Sequence, residues 1–190
     1  DVVESVERAK HEAATNAVDL LPDGATVLTH DYSSTVVEAI ELAAREGHHI
    51  DVYVTEARPR YLGRRTARTL AAVDRVDTTL VVDGAAGHYL DECDRVVLGM
   101  SAIVDDTLYN RVGTFPIAAT AAELAVPVSV VGASEKLIEE GFVFENEFRS
   151  PAEVMREPAE GFSVANPAYD ATPTHLLDGV VTEAGKKKPE

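Results

Sequence analysis

Lysine is the scarce charge in this chain. Its 190 residues hold 33 aspartates and glutamates but only five lysines, Lys10, Lys136 and Lys186 to Lys188, and the formal net charge is −16. Neutralising nucleic-acid phosphates takes a basic face, so no direct nucleic-acid binding is expected. Cysteine is nearly absent as well. Cys93 stands alone, which excludes an internal disulfide and leaves no second thiol for a metal centre, so no metal is expected. Asp91, Glu92 and Asp94 crowd that thiol with like charge and argue against a nucleophile. No apolar run is long enough to cross a bilayer, and no signal-peptide pattern opens the chain. A cytoplasmic protein without a membrane partner is the expectation. Zinc spacing, a Walker loop and the Gly-x-Gly-x-x-Gly fingerprint are all missing, so no cofactor is expected.

What is present is an ordinary globular core in an acidic shell. Hydrophobic residues make up 45% of the sequence, enough for one well-buried α/β domain. The acidic side chains are dispersed along the chain. That distribution keeps a surface hydrated when salt screens it heavily and fits a halophile's salt-rich cytoplasm; an acidic partner-binding surface is the other reading.

The pattern alternates helix and strand. Apolar positions at helical spacing (Val2, Val6, Ala9, Ala13, Ala17, Leu20) predict a helix over 2–20, stopped by Pro22-Asp23-Gly24. Short apolar runs predict strands at 25–29, 50–54, 79–82, 95–98 and 127–131, with a possible sixth at 180–182. Helices fall between them at about 33–45, 60–73, 85–90 and 115–125, the first capped by Ser33. Periodicity weakens over 141–165, which suggests an excursion over the surface. Together these elements predict a mostly parallel, Rossmann-like α/β sheet with helices on both faces.

Polar residues gather just beyond the strand ends, where open parallel sheets bind ligands. His30-Asp31 follows the first strand, Glu56 and Arg58 the second, and a polar loop from Ser101 to Arg111 the fourth. Gly113-Thr114 then opens a helix whose N-terminus suits an anion. Five of the twelve arginines fall between Arg58 and Arg68, and Arg58 leaves its strand end directly, where a guanidinium can hold a phosphate. His30 reads as a structural hydrogen-bonding residue. The candidate ligand set is Asp31, Arg58, Ser101, Asn110 and Arg111.

Several segments occur in an order that carries a resemblance: Val27-Leu-Thr-His-Asp-Tyr-Ser-Ser-Thr35, Val52-Tyr-Val-Thr-Glu-Ala-Arg-Pro59, Gly63-Arg-Arg-Thr66, Gly113-Thr114 and Asn166-Pro-Ala-Tyr-Asp-Ala-Thr-Pro173. Together the chain resembles the family that unites the alpha, beta and delta regulatory subunits of translation initiation factor 2B with two sugar-phosphate isomerases. Those isomerases act on ribose-1,5-bisphosphate and methylthioribose-1-phosphate. The resemblance implies a Rossmann-like C-terminal domain over 23–184 that dimerises, preceded at 1–22 by the last helix of an N-terminal helical domain, with 185–190 as a disordered tail. It also implies a sugar phosphate or nucleoside monophosphate as ligand, with Asn110-Arg111 matching the family's asparagine-lysine pair. Two departures bear on activity. Asp31 stands where the isomerases have a cysteine, and Ser101 where they have an aspartate. The pair moves a proton between sugar carbons in those enzymes, so the expectation is a non-catalytic or ligand-sensing relative of the regulatory subunits. The alternatives are an aldose-ketose isomerase with unusual residues, or a pure protein-interaction module.

Overall fold

The computed structural model describes residues 1–189. Its frame is a seven-stranded sheet. The strands are β1 (Ala25–His30), β2 (Ile50–Thr55), β3 (Val76–Val81), β4 (Arg95–Gly99), β7 (Val128–Val131), β10 (Gly179–Thr182) and β11 (Gly185–Lys187), in the order β11-β10-β7-β4-β1-β2-β3. All neighbours are parallel except β10 and β11. A smaller sheet, in the order β8-β5-β6-β9, joins β5 (Ala102–Val104), β6 (Thr107–Arg111), β8 (Leu137–Ile138) and β9 (Tyr169–Pro173). The α-helices among the described residues are α1 (Val2–Ala17), α2 (Ser34–Arg45), α3 (Leu62–Ala71), α4 (Ala86–Tyr89) and α5 (Thr114–Glu123).

Successive strand side chains point to opposite faces, and the core divides accordingly. Val27, Val52, Val54, Val97, Val131 and Val181 pack with Ala13, Ala17, Ile40 and Leu70 of α1, α2 and α3. Leu28, Val96, Leu98, Val128, Val130 and Val180 pack instead with Ala86, Leu90, Ile117 and Ala121. One layer of helices therefore covers each face. The chain builds β1, β2 and β3 outward in one direction, then returns to lay β4, β7 and β10 on the other side of β1. The carboxyl ends of β1 and β4 meet at that reversal, the point where such sheets bind ligands.

Three expectations change. The polar loop predicted over 101–111 is mostly a hairpin, β5 with β6, turning at Asp105 (φ 53°). Its register is held by β9, some sixty residues downstream, and no local pattern announces that pairing. The third strand begins at Val76 rather than Thr79, because an edge strand with exposed Asp77 and Leu80 hides its period in the sequence. The tail predicted over 185–190 is ordered at Gly185–Lys187, which pairs antiparallel with β10. Lysines on an outer strand suit an exposed edge, so a basic run that reads as solvated still forms a strand. Glu190 lies outside the described residues.

Candidate functional site

At the sheet's reversal point lies a cleft of about 220 Å³, lined by residues of α1, β1, α2, β4, β6 and the turn after β7. Its floor is Asp31, in the left-handed region at φ 66°, where aspartate is among the side chains that tolerate such a backbone. The residue is fixed on three sides. Its backbone N–H donates to the Thr55 carbonyl (3.4 Å), its carbonyl accepts from Thr66 Oγ1 (2.6 Å), and its Oδ1 accepts from the Tyr32 N–H (2.7 Å). Gly63 makes the Thr66 contact possible. A Cβ on Gly63 would lie 2.1 Å from the Thr55 carbonyl oxygen.

The second wall is the β4–β6 segment. Ser101 Oγ donates to Asn110 Oδ1 (3.4 Å), Asn110 Nδ2 donates to Thr114 Oγ1 (3.2 Å), and Thr114 Oγ1 donates to the Arg111 carbonyl (2.6 Å). Buried His30 spans the two walls, with Nδ1 2.6 Å from Thr55 Oγ1 and Nε2 2.8 Å from the Val112 carbonyl. Both ring nitrogens are engaged, the arrangement of a strut between loops. Gly113, at φ 104°, passes so close that a Cβ there would lie 2.6 Å from His30 Nε2.

The third wall is cationic. Lys10 and Lys136 line the cleft with Arg111. Burial, and next the Lys10 charge, hold the Lys136 amine below the ordinary lysine range, with Arg111 adding to the effect and Glu135 opposing it. Among the described residues neither Arg111 nor Lys136 forms an ion pair with a carboxylate. The first turn of α2 completes the cleft through Ser33, Ser34 and Thr35. Ser33 Oγ accepts from the Val36 N–H (3.3 Å), and Gly99 must be glycine here because a Cβ would lie 2.6 Å from Ser33 Oγ.

Of the residues singled out from sequence, Asp31, Ser101, Asn110 and Arg111 line this one cleft. Arg58 does not. It lines a neighbouring hollow of about 20 Å³ that shares Asp31 and Arg111 with the cleft. Its guanidinium donates to the Val154 carbonyl (2.8 Å) and to Tyr61 Oη (3.0 Å). In the same hollow Arg149 pairs with Glu153 (2.9 Å) and Glu147 (3.1 Å), and Arg60 with Glu153 (3.8 Å). The surface excursion thus engages these arginines, a pairing invisible from the arginine run alone. The helix end at Gly113-Thr114 also differs from expectation. Asp170 Oδ2 accepts from the Gly113 and Phe115 N–H groups at 2.7 and 3.0 Å, so the chain supplies its own anion there. The helix end that opens into the cleft belongs to α2. Lys10 and Lys136 were missed, although the scarcity of lysine could have pointed to them. Cys93 is buried and its thiol is pushed up to about 12, by burial first and then by Asp94, Glu92 and Asp91. No group of three potential metal-ligating side chains occurs among the described residues, and none of their helices is long and apolar enough to cross a membrane.

Fold and cleft together define a Rossmann-like α/β domain with an acid-floored, cation-walled pocket at the switch point. The chain belongs to the Initiation factor 2 subunit family, which matches residues 1–189. Ribose 1,5-bisphosphate isomerase of Haloterrigena turkmenica is 36% identical, covering 96% of this chain and 61% of the relative. The protein of the same name from Haloferax volcanii is 35% identical, covering 97% of this chain and 59% of the relative. The chain therefore spans about three-fifths of the length of these curated relatives. Among solved structures, the translation initiation factor eIF-2B of Pyrococcus horikoshii superposes with a TM-score of 0.86 at 26% identity, covering 98% of this chain and 66% of the other. These relatives correct the expectation of a non-catalytic regulatory protein. Proteins named ribose 1,5-bisphosphate isomerase match at 35–38% identity over 89–97% of the chain, and they favour the isomerase alternative.

Proposed function

We propose that this chain forms the catalytic part of an aldose-ketose isomerase acting on a phosphorylated pentose. The observation that carries the proposal is one carboxylate, Asp31, in a cleft whose walls bear lysine and arginine side chains. An isomerisation of this kind moves one hydrogen from C2 to C1 and turns the C2 hydroxyl into a carbonyl. Where O1 carries phosphate, the bond from C1 to the ring oxygen must also break, and that oxygen takes up the proton the C2 hydroxyl loses. A single carboxylate suffices for the carbon-to-carbon step, because a group that removes the C2 proton on one face can return it to C1 on the same face. Asp31 has that role here. Ser101 and Asn110, linked to each other, hold sugar hydroxyls, while Arg111, Lys136 and the first turn of α2 bind phosphate oxygens. Asp31 and Ser101 thus replace the family's cysteine-aspartate pair with one base and one hydrogen-bonding group.

Self-association belongs to the same reading, supported by Phe142, Phe148 and Phe162, which are 54%, 71% and 57% exposed on the excursion. The test is an assay of the purified protein with ribose 1,5-bisphosphate and ribose 5-phosphate at high salt, following ketose formation. Turnover that is lost in Asp31→Asn with unchanged melting supports the proposal. Phosphate binding with no turnover under any condition removes it.

A further inference from the structure

Three of the five lysines form the terminal run Lys186 to Lys188. The other two, Lys10 and Lys136, are 126 positions apart and line the same cleft. In a chain of net charge −16, that convergence places its scarcest charged side chain twice at one spot. Lys10 lies on the stripe of α1 that also carries Ala13, Ala14 and Ala17, all fully buried, so its stem runs along the packed face of the helix. Its side chain is 30% exposed and its one carboxylate contact among the described residues is Glu7 at 3.5 Å, itself 68% exposed, a weak pairing.

A brace ties the two lysine-bearing segments together. Asn16 Nδ2 donates to the carbonyls of Thr182 (2.9 Å) and Glu183 (3.3 Å), which fixes α1 to the end of β10. The Glu183 carboxylate in turn accepts from the Ser134 N–H at 2.7 and 3.1 Å, and Ser134 begins the single helical turn that ends at Lys136. The brace holds both lysine-bearing segments against one cleft, and its Glu183 carboxylate is bonded to the Ser134 N–H. Mutual repulsion makes such a lysine pair unfavourable until a dianion enters.

We infer that Lys10 and Lys136 form a two-lysine clamp for a phosphate monoester dianion, which makes Lys10 a specificity-determining residue and α1 part of the binding site. The inference deepens the sugar-phosphate reading above and rests on it. The clamp selects phosphorylated over unphosphorylated sugars, and its strength depends on α1 staying docked through Asn16 and Glu183.

The test is calorimetric titration of the purified protein with inorganic phosphate, ribose 5-phosphate and ribose at fixed high salt, in wild type, Lys10→Met and Lys10→Arg. Phosphate affinity is expected to fall on the order of ten-fold in Lys10→Met, as for loss of one charge-assisted contact, and to recover in Lys10→Arg. A pH series adds a readout that loosened packing would not move. Phosphate binding needs Lys136 protonated and is lost as pH rises through its lowered pKa. Without the Lys10 charge that pKa rises, so in Lys10→Met the loss moves to higher pH. Wild-type phosphate affinity in Lys10→Met, or an alkaline limb that stays put, overturns the clamp and leaves the isomerase reading intact. A wild type that binds neither phosphate nor ribose 5-phosphate overturns both.

Discussion

Two helices of this molecule start just past a strand end, and they end in opposite situations. The first turn of α2 faces the cleft, with Asp31 before it and Lys136 and Arg111 across from it. The first turn of α5 is closed by the Asp170 carboxylate, which bonds two of its N–H groups. Both ends carry the same partial positive charge. What separates them is whether the fold brings its own anion, and here that anion comes from a strand fifty-odd residues downstream. The two cavities repeat the lesson. Arg58, Arg60 and Arg149 are engaged by the excursion around Glu153 and Val154, whereas Arg111 and Lys136 are held without a carboxylate partner among the described residues. A positive group already paired is part of the scaffold. One left facing a cleft is available to a ligand.

The contrast breaks most sharply at the glycine that lets α2 approach β4. Gly99→Ala sets a Cβ 2.6 Å from Ser33 Oγ, so the cap of α2 must shift. We expect a stability loss of about 1–3 kcal/mol by thermal melting, as for overpacking, together with weaker phosphate binding. The same substitution at the exposed Gly84, which a Cβ would leave in open space, is expected to change neither. Next comes the pair Arg111→Ala and Arg58→Ala. Calorimetry with phosphate is expected to show roughly ten-fold weakening for the first and less than two-fold for the second. Equal losses would erase the distinction between the two cavities. Asp170→Asn is expected to cost about 1 kcal/mol, as for a weakened charged cap, and to leave phosphate affinity as it was. If affinity fell with it, the closed end of α5 would have to belong to the site. The smallest effect concerns Cys93. With its thiol raised to about 12, iodoacetamide at pH 8 is expected to alkylate it slowly in the native protein and readily after denaturation.

The same contrast explains how much could be read before the structure was known. Val27-Leu28, Val52 to Val54, Val96 to Leu98 and Val128 to Val131 are short, apolar and punctuated, so the parallel sheet and its ligand edge were legible. Asp31 and Ser101 come just past the ends of β1 and β4 and were legible for that reason, whereas Asn110 and Arg111, read as loop residues, are the last two residues of β6. Features that rest on distant pairing were not. The hairpin at 102–111 takes its register from β9, Arg58 and Arg60 are engaged by Val154 and Glu153, and Asp170 closes α5 from far along the chain. Lys10 and Lys136 come together where α1 docks on the sheet, through Ala13 and Ala17 packed with Val181 and through the bonds of Asn16 and Glu183 at the end of β10. Activity was harder still, since losing a familiar residue pair says which groups are absent and not whether one remaining carboxylate can do the work.

The most direct test follows one hydrogen. Ribose 1,5-bisphosphate carrying deuterium at C2 is given to wild type and to Asp31→Asn, and the products are read by mass spectrometry and NMR. The account predicts a ketose product from the wild type, with the deuterium gone from C2 and found at C1 or exchanged into solvent. It also predicts a rate at least about a hundred-fold lower in Asp31→Asn. A ketose formed equally fast by both proteins, or no ketose from a wild type that binds phosphate, would contradict it.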